Sequence, residues 1–356
     1  MPLPVFDAVA TESRNHLIVM GGCTAEMAAT RAVQVRHPIH GWLPIGTSLL
    51  EPRAKPSLTP LVTGRVLVLG GWDGRWGEAI RQHADGETLD PLVAGSGRRV
   101  EAWPEPLEGH SATPLPDGTV AVVSGCEIRL FDPSTERWSE PQSLERERHG
   151  HAAILVGWTL VLAGGDEEGS IESLDLGAWP PQPYLWAARL DGEPREMAGI
   201  AVDDTTALLA GGFRQRDQTT SDRTYVVDAI RHVIRPGPDL GLERGACNLT
   251  LATHPRGILV LDGEWRSEGR RGNADASLLL RPRAGFGERD RWALPRLGPR
   301  LDLARRTLLV RRDGSIEALG GYRFVAPGEA REGVEAGVGV DGSDQRLVVD
   351  AAGVAD

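Results

Sequence analysis

The fold of this chain is decided by the stretch Thr119-Val-Ala-Val-Val-Ser-Gly-Cys-Glu-Ile-Arg-Leu-Phe-Asp-Pro-Ser-Thr-Glu-Arg-Trp138. Its apolar run 120–123 has the length and composition of a buried β-strand, and Ser124-Gly125 interrupts it. A second apolar segment, 128–131, precedes the turn signal Asp132-Pro133-Ser134 and the bulky Trp138. This order of two strands, a bend, a turn and a bulky Trp predicts most of a small antiparallel sheet. Such a sheet needs neighbouring copies of itself to bury its apolar faces.

Composition limits the class of protein. The 356 residues include 44 Gly and 25 Pro, too many chain breakers for a helical protein. No apolar run is long enough to span a membrane, and the N-terminus lacks the pattern of a secretory signal. Only three cysteines occur, which fits a reducing compartment, so we expect a cytoplasmic protein. The net charge of −11 disfavours nucleic acid and anionic membranes as partners.

Apolar runs followed by two small or turn-forming residues recur along the whole chain. The pairs are Gly21-Gly22, Gly70-Gly71, Ser124-Gly125, Gly164-Gly165, Gly211-Gly212, Asp262-Gly263 and Gly320-Gly321. An apolar segment and a tight turn precede each run, as in 152–156 followed by Gly157. A third strand follows, often ending in Asp, and then a fourth that is rich in Trp or Pro. Seven repeats of four antiparallel strands, without any helical period, predict an all-β, seven-bladed β-propeller in a single domain.

The repeat resembles the kelch repeat, which is built from an apolar strand, Gly-Gly, a strand ending in Asp, and Trp. The best copies are 108–138, with His110, Asp132 and Trp138, and 148–186, with His151, Gly164-Gly165, Asp175 and Trp186. The resemblance implies the fold of the galactose oxidase central domain. The copper site of that oxidase is not matched, because none of Tyr184, Tyr225 and Tyr322 lies in a matching motif.

The repeats predict blade boundaries along residues 1–356. We place the blades at about 5–50, 51–105, 106–142, 143–190, 191–240, 241–298 and 299–352. Six blades with an irregular insert remain the alternative. The first blade begins near Phe6 with its innermost strand, so we expect the ring to close by packing between first and last blades. Segments 72–102 and 264–277 are predicted to be long loops.

Propeller geometry predicts where polar groups meet. The start of each innermost strand and the residues after each small-residue pair should emerge on one face, at the mouth of the central channel. There, aromatic, Arg and carboxylate groups suit a sugar, a peptide or an aromatic metabolite. The predicted binding residues are Trp72, Asp73, Trp76, Arg195, Phe213, Arg214, Asn248, Trp265, Arg306, Tyr322 and Arg323. The candidates for acid–base chemistry are Asp7, His110, His149, His151 and Arg305.

Metal binding is a weaker alternative at the same mouth. His149 and His151 would point to one side of a strand, and His110 would join them from the adjacent blade. The competing interpretation is that His110 and His151 are repeat residues that hold blade to blade. We expect no cofactor, with a divalent metal as the alternative.

Two functions remain open at this point. The first is a kelch-type binding protein that holds a partner protein, peptide or small ligand at the channel mouth, as a monomer. The second is a cytoplasmic propeller enzyme, an epimerase, lyase or cyclase of a small metabolite, using His and carboxylate groups with or without a metal. No complete catalytic motif is present, which favours the binding protein.

Overall fold

A computed structural model describes residues 1–75, 78–192, 194–254, 257–267 and 269–280, together with the backbone of strands further along the chain. Side chains are described up to Leu280, except those of residues 273, 275–277 and 279. This part of the chain contains no α-helix, and so no helix that could span a membrane. The predicted all-β class is confirmed.

The strands follow one another in seven groups along the chain. The first group contains β1 (Val9–Ser13), β2 (His16–Met20), β3 (Val33–His37) and β4 (Gly41–Leu43). The second contains β5 (Ser57–Pro60), β6 (Val66–Leu69), β7 (Trp72–Gly74), β8 (Ile80–Gln82), β9 (Gly86–Leu89) and β10 (Arg98–Val100). The third contains β11 (Ser111–Pro114), β12 (Val120–Asp132), β13 (Arg137–Trp138) and β14 (Gln142–Arg148). The fourth contains β15 (Ala152–Val156), β16 (Thr159–Ala163), β17 (Ser170–Asp175) and β18 (Pro183–Arg189).

The later groups carry additional short strands. The fifth contains β19 (Pro194–Arg195), β20 (Ala198–Ala201), β21 (Thr206–Ala210), β22 (Phe213–Arg214), β23 (Thr219–Thr220), β24 (Thr224–Asp228) and β25 (Val233–Pro236). The sixth contains β26 (Thr250–His254), β27 (Gly257–Ser267), β28 (Arg270–Leu280) and β29 (Trp292–Ala293). The seventh contains β30 (Thr307–Val310), β31 (Ile316–Leu319), β32 (Tyr322–Phe324), β33 (Val338–Val340) and β34 (Asp344–Leu347).

Each group forms one main antiparallel sheet. Six of these sheets have four strands, and the described part of the seventh, β30-β31-β34, has three. The sheet β15-β16-β17-β18 shows the arrangement most simply, with Ala152 opposite Ala163 and Thr159 opposite Asp175. The second strand of each sheet is its buried centre: β6, β16 and β21 are apolar runs that pack on both faces, as the sequence predicts.

The first strands of the sheets contact one another in sequence. β1 contacts β5, and the series continues through β11, β15, β20, β26 and β30. β30 in turn contacts β1, so these strands form a closed cycle. The first sheet contains only strands from the N-terminal end of the chain, and the described strands of the seventh sheet all come from its C-terminal end. The cycle therefore closes by packing of one sheet against the other, as expected, and not by a strand shared between them.

The apolar core lies between adjacent sheets. One cluster joins the fourth and fifth sheets and contains Val161, Trp186 and Leu209. Trp186 is fully buried, and its Nε1 donates to Oγ of Ser173 at 2.9 Å. Other clusters join the first sheet to the second, the second to the third, the third to the fourth and the fifth to the sixth. Each sheet therefore depends on its neighbours for burial, as repeat units do.

The glycine pairs make the contact between sheets close. A Cβ on Gly164, which has φ +67°, would lie 2.3 Å from the carbonyl oxygen of Pro194 at the start of the fifth group. The next amide, of Gly165, donates to that same oxygen at 3.0 Å. Gly21-Gly22 and Gly211-Gly212 make the same contacts with Arg53 and Ala246. The pairs thus permit an inter-sheet hydrogen bond that a side chain would block.

Three local expectations were wrong. Segment 72–102 is not a loop: it forms the hairpin β7–β8 and the outer strands β9 and β10. Segment 264–277 is the far end of the β27–β28 hairpin, with Trp265 opposite Gly272. β14 pairs with β12 and ends at Arg148, beyond the third blade's predicted end at 142. In each case backbone pairing extends through polar sequence, which hydrophobic periodicity does not detect.

Candidate functional site

A cavity of about 1060 Å³ lies where the loops of five consecutive groups, the second to the sixth, converge. The predicted residues that line it are Trp72, His110, His149, His151, Arg195, Phe213 and Asn248. The cavity is therefore formed by innermost-strand starts and by residues after the glycine pairs.

Residues with left-handed backbone conformation surround this cavity. Each lies two positions before the first strand of its sheet; they are Asp7, Lys55, Gly109, Gly150, Glu196 and Asn248, with φ between 51° and 68°. We call this set the mouth ring. All of its members except Asp7 line the cavity. The residue two positions before β30 is Arg305, which lies outside the described residues.

Backbone hydrogen bonds connect members of the mouth ring from one sheet to the next. The amide of Lys55 donates to the carbonyl of Asp7 at 2.9 Å, and that of Gly150 to the carbonyl of Gly109 at 2.8 Å. The amide of Glu196 donates to Gly150 at 2.7 Å, and that of Asn248 to Glu196 at 3.2 Å. Non-glycine residues adopt this conformation at an energetic cost, and such strain is concentrated at functional sites.

Two ring members anchor a network of charged side chains. The carboxylate of Glu196 accepts from Nη2 of Arg266 at 2.9 Å and from Nδ2 of Asn248 at 3.1 Å. Arg266 also lies 3.5 Å from the buried Glu264 and stacks over Phe213, 4.8 Å from the ring centroid. Burial, followed by the Glu196 charge, raises the pKa of the adjacent Cys247 thiol, so this cysteine is not an activated nucleophile. The network fixes the guanidinium of Arg266 and the ring of Phe213 at the cavity wall.

The histidines bridge neighbouring sheets. Nε2 of His110 lies 2.7 Å from Oγ of Ser57, and Nε2 of His151 lies 2.8 Å from Oγ of Ser111. Desolvation lowers the pKa of His110 to about 4. Burial, with the positive charge of Arg148, lowers the pKa of His151 to about 3. Both rings are thus neutral near pH 7, which supports the interpretation that they hold blade to blade.

The three-histidine metal site is not formed. His149 and His151 do not share a face, because they precede β15 and flank Gly150, whose φ is +68°. His149 is largely exposed and contacts Glu147 at 3.1 Å, whereas His151 is buried against Ser111. No group of three or more potential ligands is placed to hold a metal among the residues that can be described.

Four other predicted site residues do not line the cavity. Asp7 is buried in the mouth ring, and Asp73 pairs with Arg81 at 2.6 Å. Arg214 pairs with Asp217 at 3.1 Å, and Trp265 stacks under Arg244 at 4.3 Å. Trp72 reaches the cavity but is mainly a core residue, packed against Phe6 and Cys23.

Several predicted residues cannot be placed. Trp76, Arg305 and Arg306 lie outside the described residues. Tyr322 and Arg323 are in β32, for which only the backbone is described. Their assignment to the site stays a prediction.

Five charged residues of the cavity wall were not predicted from the sequence: Lys55, Glu78, Glu108, Glu196 and Arg266. Lys55 and Glu196 share the offset of the mouth ring, so aligning the first strands of the repeats would have found them. Arg266 lies in β27 on the hairpin that was expected to be a loop. No local sequence signal predicts its contact with Glu196, because the two residues belong to different sheets.

Comparison with known proteins finds similarity in sequence and in fold. No family model matches the chain. Kelch-like protein 34 of Homo sapiens is 28% identical in an alignment of 275 residues that covers 68% of this chain and 39% of that protein. The chain thus spans about two-fifths of the length of this relative. The solved structure of YjhT aligns with 80% of this chain and 97% of its own at a TM-score of 0.57 and 15% identity, which shows similarity of fold. The predicted β-propeller fold is confirmed, and the sequence similarity to a kelch-like protein supports the resemblance of its repeats to the kelch repeat.

Proposed function

We propose that this chain is a binding protein whose mouth cavity holds a peptide segment of a partner protein, on a ring of seven blades. One observation carries the proposal: loops of five consecutive sheets converge on one cavity whose wall combines Phe213 with the fixed guanidinium of Arg266. Aromatic and Arg side chains held in place before binding are typical anchors of protein interfaces. The similarity to a kelch-like protein supports this class of function.

A catalytic role has less support from the same geometry. An acid–base enzyme needs a group that changes protonation near the working pH. His110 and His151 are neutral there and are engaged with Ser57 and Ser111. Binding is therefore the function that we put forward.

An array of short random peptides tests the proposal. Fluorescently labelled protein is applied to the array, and Phe213→Ala is compared with wild type. Because Phe213 lies in the cavity wall, we expect its truncation to weaken capture roughly tenfold or more. Tyr184→Ala is the matched control, since Tyr184 is an exposed aromatic of β18 that does not line the cavity. If Phe213→Ala captures peptides as strongly as wild type does, the peptide binds at another face of the protein and the cavity assignment is wrong. If wild type captures no peptide, peptide binding is refuted.

A further inference from the structure

Arg195 occupies a specific place in the cavity wall. It lies in β19 directly opposite Phe213 in β22, and opposed residues of an antiparallel pair project to the same side. Arg266 stacks over Phe213 from the neighbouring sheet. Phe213 therefore has Arg195 as its partner across the strand pair and the guanidinium of Arg266 over its ring.

The two arginines differ in their partners. Arg266 is paired with Glu196 and Glu264, whereas Arg195 forms no ion pair with any described residue, and its buried Nε has no hydrogen-bond partner there. Other arginines also have a buried, unpartnered Nε, but each is paired with a carboxylate elsewhere on its guanidinium: Arg53 with Asp85, Arg146 with Glu168, Arg148 with Glu172 and Arg214 with Asp217. A partly buried cation without an anion is unfavourable. At Arg195 the protein retains such a cation beside a cavity.

The chemistry of the cavity selects the missing anion. The planar fork of a guanidinium fits a carboxylate or a phosphate with two parallel hydrogen bonds. Glu78, Glu108 and Glu196 also line the cavity, and their negative charge opposes a doubly charged phosphate more than a singly charged carboxylate. Phe213, the partner of Arg195 across the strand pair, provides apolar surface in the cavity wall for the carbon atoms next to that carboxylate.

We propose that Arg195 anchors a single carboxylate side chain, Asp or Glu, of an acidic peptide segment bound in the mouth cavity. This inference rests on the proposed function and specifies the chemistry of its ligand. It also implies that the positive charge of Arg195 serves binding and not folding, because no carboxylate among the described residues pairs with it.

The experiment uses the peptide array with matched spots. Each peptide that contains one glutamate is printed beside its glutamine counterpart and beside a version with phosphoserine in place of the glutamate. Wild type is compared with Arg195→Gln. The control is Arg216→Gln, which removes an exposed charge near β22 that does not line the cavity. Thermal melting of each protein is recorded separately.

The expected result is a wild-type preference for glutamate over glutamine of roughly 10-fold to 100-fold, as for a charge-assisted hydrogen-bonded pair. Arg195→Gln should lose this preference while it melts at or above the wild-type temperature, and Arg216→Gln should keep it.

Equal capture of glutamate and glutamine peptides by wild type would overturn the inference and leave peptide binding intact. Stronger capture of the phosphoserine peptides would overturn the carboxylate assignment. If no peptide is captured, the proposed function and this inference both fail. The wild-type comparison decides these outcomes even if Arg195→Gln is unstable.

Discussion

The carboxylate of Glu196 lies 2.9 Å from Nη2 of Arg266, and this contact joins the fifth sheet to the sixth at the mouth of the cavity. The side chains are 32% and 23% exposed, so water screens the pair only partly. Glu196 holds the contact from a left-handed backbone position, φ +55°, whose own amide is bound to Gly150. The pair is therefore positioned by the backbone as well as by charge.

A double-mutant cycle measures how much this contact contributes. We expect Glu196→Gln and Arg266→Gln to show a coupling free energy of about 0.5–1 kcal/mol, typical of a partly exposed ion pair. Urea denaturation of the wild type, both single variants and the double variant gives the value. The coupling should decrease at high salt. Strictly additive effects at low salt would show that the contact has no energetic role.

The buried ion pair between the third and fourth sheets should behave differently. Nη2 of Arg148 lies 3.3 Å from the carboxylate of Glu172, both side chains are fully buried, and Nη1 of Arg148 also donates to the carbonyls of Gly164 and Ser170. Arg148→Met leaves Glu172 buried without its cation, and we expect a loss of roughly 3–5 kcal/mol in unfolding free energy. Arg146→Met, two residues away in a more exposed pair with Glu168, should lose under about 1 kcal/mol. Similar losses for both variants in chemical denaturation would contradict this account.

Two glycines of the fourth sheet offer a matched comparison. Gly164 and Gly157 have φ of +67° and +61°, but only at Gly164 would a Cβ clash with backbone, at 2.3 Å from the carbonyl oxygen of Pro194. At Gly157 the nearest atom would be 3.7 Å away. We expect Gly157→Ala to cost about 1 kcal/mol from left-handed strain alone. Gly164→Ala should cost at least about 3 kcal/mol, because the adjacent sheet must also move. Equal costs in equilibrium unfolding would mean that the sheets are not in close contact here.

Stability should depend on pH through His151. Its pKa is about 3 in the folded protein and 6.5 for an ordinary histidine, so between these values the unfolded chain binds a proton that the folded chain does not. The stability present above pH 6.5 is therefore lost progressively as the pH falls, by about 2 kcal/mol between pH 7 and pH 5. His151→Gln should reduce the difference in unfolding free energy between these two pH values by that amount. The exposed His40→Gln should retain the wild-type difference, and a His151→Gln variant that also retains it would contradict the burial argument.

Much of the cavity wall was predictable from the register of the repeats. His110, Arg195, Phe213 and Asn248 were placed at the mouth by their positions relative to strands and glycine pairs, and they line the cavity. The roles of the histidines were not predictable, because their protonation depends on burial between sheets. Trp265 was misplaced because its segment continues a hairpin, so the ring stacks under Arg244 instead of facing the cavity.

Local sequence was enough to predict the apolar strands, their antiparallel order and the positions of the sheet-to-sheet contacts, but not the polar hairpin β7–β8 or the far end of β27–β28. These features follow from local periodicity and from the glycines that permit positive φ. Which charges have partners depends on the packing of one sheet against the next. Arg266 and Glu196 lie 70 residues apart and meet across two sheets, while Arg195, beside Glu196 in sequence, is left without a described carboxylate. Pairing depends on distances of a few ångströms between segments remote in the chain, and no local pattern encodes these distances.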